Sequence, residues 1–420
     1  ISNIQKYIKS NIADYNYENF ELVSLGFWPG GDRDGNPYVT NKITIKTALK
    51  LRSDIIKNYY KDVSILRRKL TFKNIEEIII DIENRLYKSI NQKKENPSIG
   101  LDELRKKLNY VKNEVILKHE SLYLDDIQEL IDKVNIFGYH FASLDIRQDS
   151  SIHNYVFENV ITEIFGKKIS DNYKNFSDHD KITFLSNKNF DDLKNEFKNT
   201  QVIKTLGSIA AMRNIQKSNG EKGCNRYIIS HNQSALNILE VFKMFQVVGW
   251  KNPSVDIVPL FETIDDLKNS VSVMENVYND NTYRLHLEKR NKEQTIMLGF
   301  SDGTKDGGYL TANWNILKSK EALVKVSSKY GIKLKFFDGR GGPPARGGGN
   351  THQFYSSIAG IIDTKDIQIT IQGQTISSNF GTIDSCQYNL EQLISSACKN
   401  LEFNSSKNIL SADNRKTMET

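Results

Sequence analysis

Between Thr295 and Gly349 the chain twice places charge directly behind a short apolar run. Ile296–Phe300 lead into Ser301, Asp302, Lys305 and Asp306. Ile332–Phe337 lead into Asp338, Arg340 and Arg346, with six glycines among Gly339–Gly349. Carboxylates suit a hard divalent cation. Arginine forks and bare glycine N–H groups suit a phosphate. The chemistry these residues predict is a metal-assisted site for a phosphorylated anion.

Other apolar runs end the same way. LDIRQDSSIH supplies Asp145, Arg147, Gln148 and Asp149, IISHNQS supplies Ser230 and His231, and VPLFETIDD supplies Glu262, Asp265 and Asp266. TIQGQ closes a sixth run. One charged strand end is usually a helix cap, but five in register predict one pocket at the C-terminal ends of parallel strands. Glu262 and Asp302 are the expected ligands of Mg²⁺ or Mn²⁺. Arg147, Arg340 and Arg346 imply an oxyanion-rich ligand, because arginine behind a buried strand needs a partner for its charge. GRGG is followed by no GKS or GKT, so it is not a P-loop. His231 and His352 read as capping or structural residues; His119, His140, His153, His179 and His286 carry no motif.

The elements that must hold these residues follow from periodicity. Strands are expected at Phe141–Ile146, Tyr227–Ile229, Val255–Leu260, Ile296–Phe300, Ile332–Phe337 and Ile367–Ile371, with helical patterns such as Ser234–Phe245, Asp265–Val277 and Leu310–Tyr330 between them. That alternation predicts a TIM-type parallel β/α barrel over 139–400, with a polar insertion at 166–199. Upstream, residues 1–24 read as helix and connector. Pro29, Gly30, Gly31, Gly35, Asn36 and Pro37 exclude regular structure in the loop that follows. Thr40 is the expected N-cap of the next helix. Leu49, Leu51, Ile55 and Ile56 define one helical face, and Leu101, Leu104, Leu108 and Val111 another. Residues 1–138 thus form an all-α collar carrying the GGDRDGNP loop. The polar close over Ser405–Thr420 and the start at Ile1 make both ends read as cut, with 401–420 a truncated tail.

Composition narrows the class. The 420 residues are 38% hydrophobic and 26% charged, with a net charge of +6. A small excess of interspersed Lys is a solvated surface and not a nucleic-acid stripe. No apolar run approaches a membrane span, and no signal peptide is visible. Cys224, Cys386 and Cys398 stand alone, which fits a reducing, cytoplasmic setting and argues against disulfides or a zinc site.

FWPGGDRDGNPYVT, LDIRQDSSIH, VPLFETIDDL, GFSDGTKDGG and GRGGPPARGGG resemble, in this order, the motifs of the phosphoenolpyruvate carboxylase family. The resemblance runs from about Leu22 to Gly381. It implies a barrel lyase that joins bicarbonate to phosphoenolpyruvate, gives oxaloacetate and phosphate, needs Mg²⁺ or Mn²⁺, and feeds the tricarboxylic acid cycle. It implies a homotetramer and, in allosteric members, an acidic feedback inhibitor. By resemblance Glu262 and Asp302 fall on metal ligands and Arg147 and Arg340 on the phosphate arginines. Trp28 and Leu260 fall on the pocket for the substrate methylene. Lys305 and Arg346 fall on active-site residues of the two loops. Two departures stand out. Asp338 occupies a position where family members often have histidine, and Gln374 one where they often have glutamate. None of the seven prolines follows a histidine, so the family's catalytic histidine motif is not in this sequence. The chain is therefore expected to be the central part of a longer enzyme and inactive alone. The competing expectations are a ligand-binding fragment without turnover, or a related phosphoenolpyruvate-using barrel phosphotransferase.

Overall fold

The computed structural model describes residues 22–91, 96–190, 196–358, 366–402 and 411–419. The chain divides into two compact units, one of Ile1–Ile146 with Ala210–Asn225 and one of Arg147–Ile209 with Arg226–Thr420. Most of the helix expected over 1–24 lies outside the described residues. No described helix is long and apolar enough to cross a membrane.

The first unit is mainly helical, with helices at Asn41–Lys69, Glu76–Asn91, Leu101–Lys118 and Leu124–Phe137. Thr40 caps the first of them as expected, its hydroxyl accepting from Ile43 N at 3.3 Å. Arg67, Arg68 and Lys69 close that helix, where positive charge favours the helix dipole. Apolar residues at helical spacing fill one core, including Ile55, Tyr59, Val63, Ile79, Ile82, Leu108, Val111 and Val134. Leu49 is the exception to the predicted face: it is 40% exposed. Two residues before Leu51 it lies about 200° around the helix.

The loop expected to lack regular structure contains a two-residue strand, β1 (Gly26–Phe27). It pairs in parallel with the start of β2 (Ser143–Asp149), Gly26 opposite Ser143 and Phe27 opposite Leu144. A strand this short leaves no periodicity to read. The GGDRDGNP loop then folds back on β2. A Cβ at Gly31 would lie 2.0 Å from the Asp145 carbonyl oxygen, so only glycine fits.

The second unit carries β3 (Arg226–Ser230), β4 (Asp256–Phe261), β5 (Glu293–Gly299), β6 (Lys333–Gly339) and β7 (Gln368–Ile369). Each pairs in parallel with the next in sequence order. Helices such as Ser150–Phe165, Ala235–Val247, Ile264–Asn279 and Phe300–Lys329 follow the strands. Parallel strands taken in sequence order with helices between them make this a helix-rich α/β barrel fold, the class expected. Every residue of β4 is buried, which is why the strand reads as an unbroken apolar run.

Two stretches differ in detail from the sequence reading. The polar segment 166–199 contains helices Lys167–Asn175 and Asp178–Asn187, and the rings of Phe165, Tyr173, Phe184 and Phe190 cluster beside them. SDGTKDGG, read as a strand end, is already helical from Phe300 and kinks at Gly308, where φ is 80°. Near the C-terminus, helix Ala412–Glu419 is tied to the long helix by Arg415–Glu321 and by Lys318–Glu419 at 3.0 Å.

Candidate active site

Strand ends β4 and β5 bring the two expected metal ligands to one place. Glu262 follows β4 directly and is 4% exposed. A Cβ on Gly299, the last residue of β5, would lie 3.0 Å from Glu262 Cα, and one on Gly303 would lie 3.4 Å from the Glu262 carbonyl. The turn bearing Asp302 therefore packs on the backbone of Glu262. The helix cap uses the backbone N–H of Glu262, which donates to Asp266 Oδ2 at 3.3 Å, and the side chains of its neighbours. Thr263 Oγ1 accepts from Asp266 N at 3.1 Å, and the Asp266 carboxylate accepts from Thr263 N at 3.0 Å, a reciprocal capping box. Asp302 lies in the first turn of its own helix, favourable for a carboxylate. It accepts from Lys305 Nζ at 2.8 Å, and both side chains are well exposed. Two carboxylates fit Mg²⁺ or Mn²⁺ with positions left for water and substrate. Among the described residues no three His, Cys, Asp or Glu side chains form a ready-made metal cage.

Sequence reasoning missed His231. It follows β3 with a left-handed φ of 49°. Its Nδ1 lies 2.6 Å from Asp149 Oδ2 and its Nε2 3.0 Å from Glu262 Oε2. Burial pushes the Asp149 carboxyl up, but hydrogen bonds from Ser151 and His231 outweigh it and hold it below the usual range. The signal was present in the sequence: Asp149, His231 and Glu262 each stand at the end of successive strands.

Two of the three expected arginines, Arg340 and Arg346, lie in the loop after β6, and the third, Arg147, lies on β2. Arg340 is 5% exposed. Its guanidinium lies 4.1 Å from the Phe354 ring centroid and 5.8 Å from that of Phe300, and its Nε donates to Gly347 O at 3.3 Å. Among the described residues no carboxylate forms an ion pair with it. Arg346 is exposed at the loop tip, and its carbonyl accepts from Gly341 N at 3.0 Å. A side chain at Gly347, where φ is 68°, would strike Phe300, so the loop lies against the first residue after β5. Leu260 is buried on β4, and Arg147 is half-buried on β2. Trp28 belongs to the first unit, where its Nε1 donates to Asp145 Oδ2 at 3.0 Å.

Asp338 does not pair with Arg340. Both its oxygens face Lys320 Nζ, at 2.7 and 2.8 Å, and Tyr355 OH donates to Oδ2 at 2.7 Å. Burial, then the Asp338 charge beside it, push the Tyr355 hydroxyl well up.

Acidic and basic side chains at the C-terminal ends of parallel strands define an α/β-barrel enzyme layout. A family model for phosphoenolpyruvate carboxylase matches residues 1–107 and 81–420. The chain belongs to the phosphoenolpyruvate carboxylase family, carbon–carbon lyases that use a divalent metal.

Proposed function

We propose that this chain binds phosphoenolpyruvate for carboxylation by bicarbonate, giving oxaloacetate and phosphate. The observation that carries the reading is Arg340. A buried guanidinium against the Phe354 ring and beside Phe300, with no carboxylate partner among the described residues, favours an anion that offsets its desolvation. A phosphoryl group supplies one with matching geometry.

In this reading Arg340, Arg346 and Arg147 hold the phosphoryl group and neutralise it during transfer to a bicarbonate oxygen. The C–O–P bond breaks on the oxygen side of phosphorus, leaving the pyruvate enolate and forming carboxyphosphate. Carboxyphosphate releases CO₂ and phosphate, and the enolate carbon takes up the CO₂. Leu260 gives the methylene an apolar wall that slows its protonation by water. Lys305, held by Asp302, adds positive charge at the β5 end. A divalent cation held by Glu262 and Asp302 supplies charge stabilisation for the oxygens of the substrate when bound. The resemblance further assigns a cytoplasmic homotetramer that replenishes the tricarboxylic acid cycle and responds to acidic effectors.

The histidine–proline motif of the family is not in this sequence, so the test is binding and not turnover. Calorimetry with phosphoenolpyruvate and Mn²⁺ should show binding that R346Q weakens about tenfold or more, since a charge-assisted contact contributes about 1.5–3 kcal/mol. R340Q should weaken it further. Equal affinity in both variants and the parent chain would remove the phosphate reading.

A further inference from the structure

His231 is held at its backbone and at both ring nitrogens, although its side chain is 56% exposed. Ser150 Oγ donates to its carbonyl at 2.6 Å, and Asp149 holds Nδ1 at 2.6 Å. Asp149 is itself fastened by Ser151 N at 2.8 Å. The other ring nitrogen, Nε2, lies 3.0 Å from Glu262 Oε2. Histidines that ligate metals regularly give their second ring nitrogen to a carboxylate, which sets tautomer and ring orientation. Asp149 occupies that place here.

The separation is informative. Two cis ligands of an octahedral cation, each about 2.1 Å from it, lie about 3.0 Å apart, because their distance is √2 times the bond length. Tetrahedral ligands at about 2.1 Å would lie about 3.4 Å apart. The observed 3.0 Å between Nε2 and Oε2, also an ordinary hydrogen-bond length, is compatible with the octahedral pair without further movement.

We propose that His231 Nε2 is a ligand of the same divalent cation as Glu262, which makes the metal site of this chain a mixed nitrogen–oxygen one. The inference rests on the reading that Glu262 holds the cation. A cation held by Nε2 and Glu262 would lie off the line joining them and would replace their direct contact, any proton on Nε2 going to solvent, with Nδ1–H left to donate to Asp149. An imidazole ligand favours Mn²⁺ or Co²⁺ over Mg²⁺, which prefers an all-oxygen shell.

The test uses the whole chain with Mn²⁺ alone, tag removed and in a buffer free of amines. Pulsed electron paramagnetic resonance should show coupling to a directly bound nitrogen, and uniform ¹⁵N labelling should change that coupling in the expected isotope ratio. H231Q should lose the coupling and bind Mn²⁺ at least about 10–100-fold more weakly, while its Mg²⁺ affinity falls less. D149N should weaken Mn²⁺ binding in the same direction. Circular dichroism checks that the variants are folded, and the labelling arm needs no variant at all. Bound Mn²⁺ without nitrogen coupling overturns the inference. If E262A still abolishes Mn²⁺ binding in that case, the carboxylate reading survives it. A chain that binds no Mn²⁺ at millimolar concentration sinks both.

Discussion

Lys320 and Asp338 form an ion pair of 2.7 Å with both side chains at most 4% exposed. Lys320 lies in the C-terminal half of helix Phe300–Lys329, and Asp338 lies near the end of β6, two residues before Arg340. Tyr355 donates to the same carboxylate from the helix that follows the glycine loop. The cluster therefore ties together both ends of the segment bearing Arg340 and Arg346. It also explains how an aspartate is accommodated where the family often has histidine: a buried cation partners it.

Breaking this pair on one side should be costly. K320M leaves a buried carboxylate without its cation, which costs about 3–5 kcal/mol. Replacing all three polar groups, as in K320M/D338L/Y355F, should recover most of that, since no buried charge remains. Urea denaturation midpoints of the two variants and the parent check the order. A triple variant no more stable than K320M would mean that packing, and not charge, sets the loss.

The GGDRDGNP loop offers a contrast between two glycines. Gly31 has no room for a Cβ, whereas Gly35 has open space but a φ of 64°. Gly35→Ala should cost only the left-handed backbone term, about 1–2 kcal/mol. Gly31→Ala must push backbone away from Asp145, a cost at or above the about 1–3 kcal/mol of ordinary overpacking. Because Trp28 bonds to that same Asp145, its fluorescence should shift in Gly31→Ala and stay put in Gly35→Ala. Identical emission and melting temperature in the two variants would contradict the close approach.

Glu240 predicts a pH dependence. Burial pushes its carboxyl up to about 8, against an ordinary value of 4.5, although Tyr173 donates to it at 2.8 Å. A carboxyl whose folded pKa is raised binds more protons folded than unfolded between those two values. Stability must then fall as pH rises from about 4.5 to about 8. E240Q keeps an acceptor for Tyr173 and removes the charge. Its denaturation midpoint should lose this slope and exceed that of the parent at pH 8. Parallel stability profiles for the two proteins would exclude Glu240 as the source.

Strands were the most legible feature of the sequence, because parallel strands buried on both faces leave continuous apolar runs. All six expected runs coincide with β2–β7 to within a few residues at each end. What stayed hidden depended on tertiary contact. β1 is two residues long and exists through its pairing with β2. The helical turn 300–308 forms in a glycine- and aspartate-rich stretch because Gly303 and Gly307 let it close on Glu262 and Ile264. Lys320 reads as one more solvated helix lysine, since nothing local announces a partner 18 residues away. The strand-end position of His231 is legible in the sequence, but its contacts with Asp149 and Glu262, distant in sequence, are not.

The capping box after β4 separates two duties that many strand ends combine. Thr263 and Asp266 cap the helix start between them, through side chains other than that of Glu262. A change at position 262 therefore leaves the Thr263–Asp266 cap itself in place. The start of that helix can stay closed whichever side chain occupies the strand end before it.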